Sequence, residues 1–468
     1  MIADNRGTRL PRWVLAGAVS ALALAPCWWQ SRIQAGDLSS HVYNAWLAEL
    51  IARGEVEGLH LVFQPTNVLF DLLLGCLFRI LGAGAAQRIA VSAAVLVFLW
   101  GAFALFRAVA RRSPWFLLPV LLMLAYGWVF HMGFFNFYMS LGLSFAAMAL
   151  AWRGRWPASV PVFILAYTAH GLPVAWALCV LGYRWMAQRV RPRYRLILFG
   201  AALAAVTVFA FALRARYLCR WSGTQWWSAL AIDQVWVYGG EYFFFGAGLL
   251  LVFALYGARL KVLRVALGIP LQCAALTAAG IVLLPAKINL PGYAASLGFI
   301  SERMSLALAV ALCAALAAAR PRRWQVAMAG ALAAVFFARM YADERGINAY
   351  EDRLEAAVAA LAPGSRVINT VWNAPYRTVA LYHAIDRACI GRCFSYANYE
   401  PSSRQFRIRV NGPNGVVMAR YSDSASLESG QFLAREEDLP LYGVTLCGSD
   451  LCVKPLQAGS HAEINLVR

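Results

Sequence analysis

One aspartate, Asp37, stands four residues before a histidine, His41, in the polar stretch Gln34-Ala-Gly-Asp-Leu-Ser-Ser-His-Val-Tyr-Asn44 that follows the first apolar run of the chain. A carboxylate ionised at neutral pH can take the proton of an incoming hydroxyl, and an imidazole one helical turn away can contact the same bound molecule. Two more histidines sit in aromatic surroundings, His131 in Tyr126-Gly-Trp-Val-Phe-His-Met-Gly-Phe-Phe-Asn136-Phe-Tyr138 and His170 in Tyr167-Thr-Ala-His-Gly-Leu-Pro173. Aromatic rings beside one imidazole and one amide, Asn136, suit contact with a sugar, although aromatic belts also line every membrane interface. Arg214, Arg216, Arg220, Lys287 and Arg303 are cations able to hold a departing anion. Each has a plainer reading: Asp37 as a helix cap, Arg303 paired with Glu302, the arginines snorkelling to lipid headgroups, and the histidines hydrogen-bonded between helix ends.

These residues must be held by a structure immersed in lipid. Of 468 residues, 61% are hydrophobic and 14% charged, which excludes an ordinary soluble domain. The net charge of +19 comes without basic runs interleaved with aromatics, so nucleic acid is not an expected partner. Apolar runs of membrane length are expected near 13–30, 88–107, 114–131, 134–152, 157–170, 172–188, 195–213, 240–258, 265–285, 301–319 and 324–341. The apolar segment 67–83 is read as a helix on or dipping into the outer surface, because counting it as a span would invert everything downstream. The first thirty residues also have the outline of a signal peptide, with Arg6, Arg9 and Arg12 before an apolar run, but many spans follow.

With the N-terminus inside, every inner loop is basic: Arg107, Arg111 and Arg112, then Arg153 and Arg155, the cluster from Arg184 to Arg195, Arg259, Lys261 and Arg264, and Arg320 to Arg323. The same orientation places Asp37, Glu49, Glu55, Glu57, Asp71, Asp233, Glu241 and Glu302 outside, with His41, His60, His131 and His170. Ionisable groups near membrane depth are costly, so their gathering on one face marks that face as the working one. The expected architecture is therefore an all-α polytopic membrane domain over 1–341, with about eleven transmembrane helices and outer juxtamembrane helices, followed by an α+β extracytoplasmic domain over 342–468. The expected location is a bacterial inner membrane, with the N-terminus cytoplasmic and the tail periplasmic.

Ser39 as N-cap, Gly54 as stop, and Val42, Tyr43, Trp46, Leu47, Leu50 and Ile51 at helical spacing predict an amphipathic helix on the outer surface, with Asp37 and His41 facing one space. A second surface helix over 67–82 aligns Asp71, Gly75 and Arg79 on one stripe. In the tail, a polar helix from Asp343 to about Leu361 precedes strand-like runs at 366–372, 405–410 and 415–420. Cys389-x3-Cys393 and Cys447-x4-Cys452 suit disulfides in an oxidising compartment, with a four-thiolate zinc site as the competing reading; spacing alone leaves the connectivity open.

A first span, an acidic residue a few positions into the first outer loop, and one or two surface helices before the second span resemble the GT-C superfamily of integral membrane glycosyltransferases, over roughly residues 10–341. The resemblance implies transfer of a sugar from a polyprenyl-phosphate carrier to a lipid, glycan or protein acceptor on the outer face, with inversion at the anomeric carbon. It carries over to one residue, Asp37, as the loop acid and general base; Leu38 stands where the family often has a second acid. On this reading His41, His131, Asn136, His170, Arg214, Arg216, Lys287 and Arg303 bind substrate. No cofactor and no metal ligand set is identified, and a divalent cation is compatible with the reaction. Two other classes stay open: a cell-envelope polysaccharide ligase or polymerase resting on the outer arginines and histidines, and a non-enzymatic transporter or assembly subunit, which would call for mid-membrane polar groups and an internal repeat.

Overall fold

The computed structural model describes residues 11–260, 268–373, 377–448 and 450–467; Asp4, Arg6, Arg9, Lys261 and Arg264 of the expected inner face lie outside them. The chain is mostly helical with a small sheet region towards the C-terminus. In chain order, α1 is Arg12–Leu24, α2 Leu38–Ala52, β1 Leu59–Leu61, α3 Leu69–Ala110, α4 Leu118–Ala125, α5 Trp128–His131, α6 Phe135–Trp152, α7 Trp156–Ala169, α8 Gly171–Arg189, α9 Arg195–Arg216 and β2 Leu218–Arg220. There follow α10 (Gln225–Ser228), α11 (Phe243–Gly257), α12 (Ile269–Leu283), β3 (Lys287–Asn289), α13 (Ile300–Leu316) and α14 (Arg323–Val358). The last part carries β4 (Arg366–Asn369), β5 (Val371–Asn373), α15 (Ala384–Cys389), β6 (Phe394–Ser395), α16 (Glu400–Ser403), β7 (Ile408–Val410), α17 (Tyr421–Glu428), β8 (Leu441–Cys447), β9 (Asp450–Pro455) and β10 (Asn465–Val467).

Among the described residues, five helical segments are long and apolar enough to cross a membrane: Leu69–Ala110, Phe135–Trp152, Pro192–Arg216, Gly240–Gly257 and Arg323–Val358. Trp13–Cys27, Trp115–His131, Trp156–Ala169 and Ile269–Leu283 are shorter apolar helices. Small residues let the inner helices meet: a Cβ on Gly101 of α3 would lie 2.1 Å from the Gly142 carbonyl of α6, so backbone packs on backbone there. The segment read as a separate surface helix is joined to the next one, with a single interruption at Gly82 (φ 74°, ψ 174°), a conformation only glycine takes easily. That interruption redirects the chain. Thirty residues of straight helix would set Asp71 ~45 Å from Gly101, yet Asp71 bonds Asn136, six residues from Gly142. The 69–81 segment thus doubles back over the bundle end.

Two other expectations are corrected. The helix following Asp37 is not a surface helix: Leu38–Ala45, Leu47 and Ala48 are all buried. Its apolar stripe and its polar stripe both have partners, because the last third of the chain covers it; Trp46 stacks on Phe394, the Tyr43 hydroxyl accepts from Ser395 N (3.1 Å), and Asn398 donates to Asn44 Oδ1 (2.8 Å). The polar helix expected to begin at Asp343 is the continuation of α14, which runs unbroken through residue 342.

The tail holds a four-stranded sheet of order β6-β4-β8-β9, parallel except for the β8–β9 hairpin. Residues 415–420 form a loop rather than a strand, since Asn414 Oδ1 accepts from the amides of Val416 and Val417 and takes them out of any ladder. β1, from the loop between α2 and α3, pairs antiparallel with β7 of the tail, Leu59 opposite Val410. Disulfides join Cys389 to Cys393 and Cys447 to Cys452.

Candidate functional site

Asp37 is fixed from below by backbone. Gly36 N donates to His131 O (2.8 Å) and Asp37 N to Met132 O (3.0 Å), so the loop before α2 lies against the turn after α5. Gly133 makes the approach possible: it adopts φ 81°, and a Cβ there would stand 2.5 Å from Asp37 N. Asp37 is the N-cap of α2, but its side chain makes no capping hydrogen bond. The carboxylate, 17% exposed, is not consumed by the helix end.

Its neighbours come from three directions. His383, from the tail, brings Nε2 to 3.6 Å from Asp37 Oδ1, an ion-pair distance longer than a hydrogen bond. The other nitrogen of His383 is 2.9 Å from Asp386 Oδ2, and Asp386 Oδ1 accepts from the Ser395 hydroxyl. Burial works against charge on the His383 ring, but the Asp386 hydrogen bond and the charges of Asp386 and Asp37 outweigh it and raise its pKa. Arg303, at the head of α13, lies within electrostatic reach of Asp37, with its guanidinium 3.8 Å from the centre of the Phe134 ring. Its buried Nε has no hydrogen-bond partner among the described residues. Glu302, its sequence neighbour, is taken up by Ser301 (2.7 Å) and Thr224 (3.1 Å). Tyr399 also senses both Asp37 and Arg303.

One turn along α2, His41 Nδ1 is 2.6 Å from Asp71 Oδ1, and Asn136 donates to Asp71 Oδ2 at 2.7 Å while accepting from Phe70 N at 2.8 Å. Buried His41 is pushed up to about 9, since the charge and hydrogen bond of Asp71 outweigh desolvation. Glu400, from the tail, accepts from Ser40 (3.2 Å). Burial pushes its carboxyl up to about 7; His41 opposes, and Asp71 and Asp37 add to the rise.

The sequence-designated residues divide accordingly. Asp37, His41, Asn136 and Arg303 gather at this junction, and His170 is within electrostatic reach of Arg303. His170 is also a helix cap, its Nδ1 accepting from Leu172 N (3.1 Å) and its carbonyl from Ser140 (2.7 Å). His131 turns away: its fully buried ring meets Glu344 (3.3 Å) and the Gly127 carbonyl (3.2 Å). Arg214 and Arg216 are exposed at the end of α9, with Arg214 5.9 Å from the Trp221 ring centre. Lys287 is exposed on β3, opposite Arg220 of β2, and acts electrostatically on Glu428, which in turn senses Asp37.

Sequence reasoning missed His383, Asp386, Glu400 and Tyr399. For Tyr399 and Glu400 the available signal was the crowding of ionisable and aromatic residues in the cysteine-bearing stretch 387–400; His383 and Asp386 lie outside it. Among the described residues no group of three or more His, Cys, Asp or Glu side chains is placed to hold a metal ion. Comparison with protein-family models, curated proteins and solved structures returns no match.

Proposed function

We propose that the chain is an extracytoplasmic-face glycosyltransferase of the membrane, using a polyprenyl-phosphate sugar as donor. The observation that carries this reading is an Asp37 carboxylate held by its backbone, unspent on helix capping, partly open, and opposed by the incompletely bonded Arg303 guanidinium. Asp37 accepts the proton of an acceptor hydroxyl as that oxygen attacks the anomeric carbon; the bond from that carbon to the phosphate oxygen breaks on the opposite side, and polyprenyl phosphate leaves with the electron pair. Arg303 is the cation placed to stabilise the departing phosphate. Asp37 lies between the membrane-length helices and the tail, where a lipid-borne donor and a water-borne acceptor can meet. The proposed location is a bacterial inner membrane with this junction outside.

The test uses purified protein in lipid nanodiscs with polyprenyl-phosphate hexoses and pentoses, following loss of label from the lipid. Asp37→Asn is expected to slow loss of label by ~10²–10⁴ while the protein inserts and unfolds like wild type. Retained transfer removes Asp37 as base.

A further inference from the structure

His383 lies 346 residues from Asp37 in sequence, yet its imidazole faces that carboxylate and is held on every side. Nδ1 is committed to Asp386, which is itself fixed by Ser395 on β6, so ring rotation is blocked and Nε2 is the edge presented to Asp37. The rings of Tyr382 and Tyr399 pack against it with centroids 4.5 and 5.6 Å away. The imidazole is only 6% exposed. A histidine that served the tail alone would need no ionisable partner on the far side, yet this one points its free edge at the Asp37 carboxylate, which its own helix end leaves uncapped.

We propose that His383 is a positioning residue for Asp37: clamped by Asp386, it turns Nε2 towards the carboxylate at ion-pair distance and fixes its rotamer, so that the tail completes the site. The proposal rests on the reading of Asp37 as base for its role in turnover, but the contact itself is independent of any reaction. The charged and titratable groups facing His383 are Asp37 from the loop before α2, Asp386 from α15, Glu428 from α17, and the two tyrosines; Arg303 faces Asp37 from α13, and Lys287 faces Glu428.

The first arm needs no substrate. Full-length protein in nanodiscs, with ring-15N histidine and the His383 signal assigned by its loss in His383→Gln, is titrated by NMR. Removing the carboxylate charge in Asp37→Asn is expected to lower the midpoint of His383 by about one pH unit, and Asp386→Asn to lower it further. An unchanged His383 midpoint in Asp37→Asn overturns the proposal, whatever the enzyme does. The second arm follows label loss from polyprenyl-phosphate hexoses and pentoses. His383→Gln is expected to lower kcat more than it raises KM; a wild-type kcat also overturns it. If Asp37→Asn retains transfer while the NMR coupling holds, the base assignment has failed and the contact has not.

Discussion

Two histidine–carboxylate pairs stand at the same end of the molecule, joined through the backbone of residues 36–37 and 131–132, and they differ in what is left over. In the His131–Glu344 pair both partners are sealed, 0% and 3% exposed, and every polar atom is used: His131 Nδ1 meets Gly127 O, and Glu344 also accepts from Trp29 Nε1 (2.6 Å). In the Asp37–His383 pair the histidine spends Nδ1 on Asp386 and keeps Nε2 for Asp37, and the carboxylate is partly open and makes no capping hydrogen bond. A saturated buried pair ties helices together, whereas an acid with spare lone pairs beside a cation can take a proton from a bound molecule. The difference separates a strut from a candidate base, although the sequence offered His131 as a substrate contact and Asp37 as the base on residue type and position alone.

Exchanging the effects of substitution breaks the comparison most sharply. Asp37→Asn should cost ~10²–10⁴ in transfer rate with little change in thermal unfolding. Glu344→Ala should do the reverse, destabilising by about 3 kcal/mol because the buried His131 and the half-buried Trp29 indole are left without their partner. Transfer per folded molecule should stay within a few-fold of wild type, as nanodisc assays normalised to folded protein would reveal. A smaller effect links the two pairs: Gly133→Ala forces a side chain into the left-handed region and against Asp37 N, with an expected cost of about 1–3 kcal/mol and a fall in kcat as Asp37 shifts.

The pH dependence of stability sharpens the picture one turn further along α2. His41 is raised from 6.5 to about 9, so its contribution is fully present below pH 6.5 and lost as pH rises through 9. Glu400 is raised from 4.5 to about 7, so its contribution is present below pH 4.5 and lost as pH rises through 7. The melting temperature should therefore fall in two stages between pH 4.5 and 9; Glu400→Gln should flatten the lower stage and His41→Asn the upper. The smallest effect belongs to the exposed end of α9: Arg214→Ala with Arg216→Ala should change stability by no more than ~0.5 kcal/mol and leave label transfer unchanged. A large loss of transfer there would favour the polysaccharide ligase or polymerase reading, which assigns the work to the outer arginines.

Much of the membrane half was legible in the sequence because its signals are local. Gly54 ends the helix after Asp37 with φ 72°, and Asp71, Gly75 and Arg79, aligned by spacing, do face one side: Asp71 meets His41, Gly75 packs beside Arg407, and Arg79 pairs with Glu49. The covering of α2 was not legible, because an apolar stripe opposite a polar one reads the same whether the polar face meets water or protein. A weak hint was present: Ser40, His41 and Asn44 are hydrogen-bonding groups rather than the charges a solvated face usually carries. His383 was invisible for a stronger reason. Its role exists only once β1 pairs with β7 and α15 docks on α2, contacts with several hundred residues between the partners and no periodicity to announce them.

The most direct measurement is an experimental structure of the protein in nanodiscs with a non-transferable polyprenyl-phosphonate sugar. The account predicts the anomeric carbon beside the Asp37 carboxylate and the phosphonate against Arg303. A ligand seated at Arg214 and Arg216, with Asp37 outside contact distance, would contradict it.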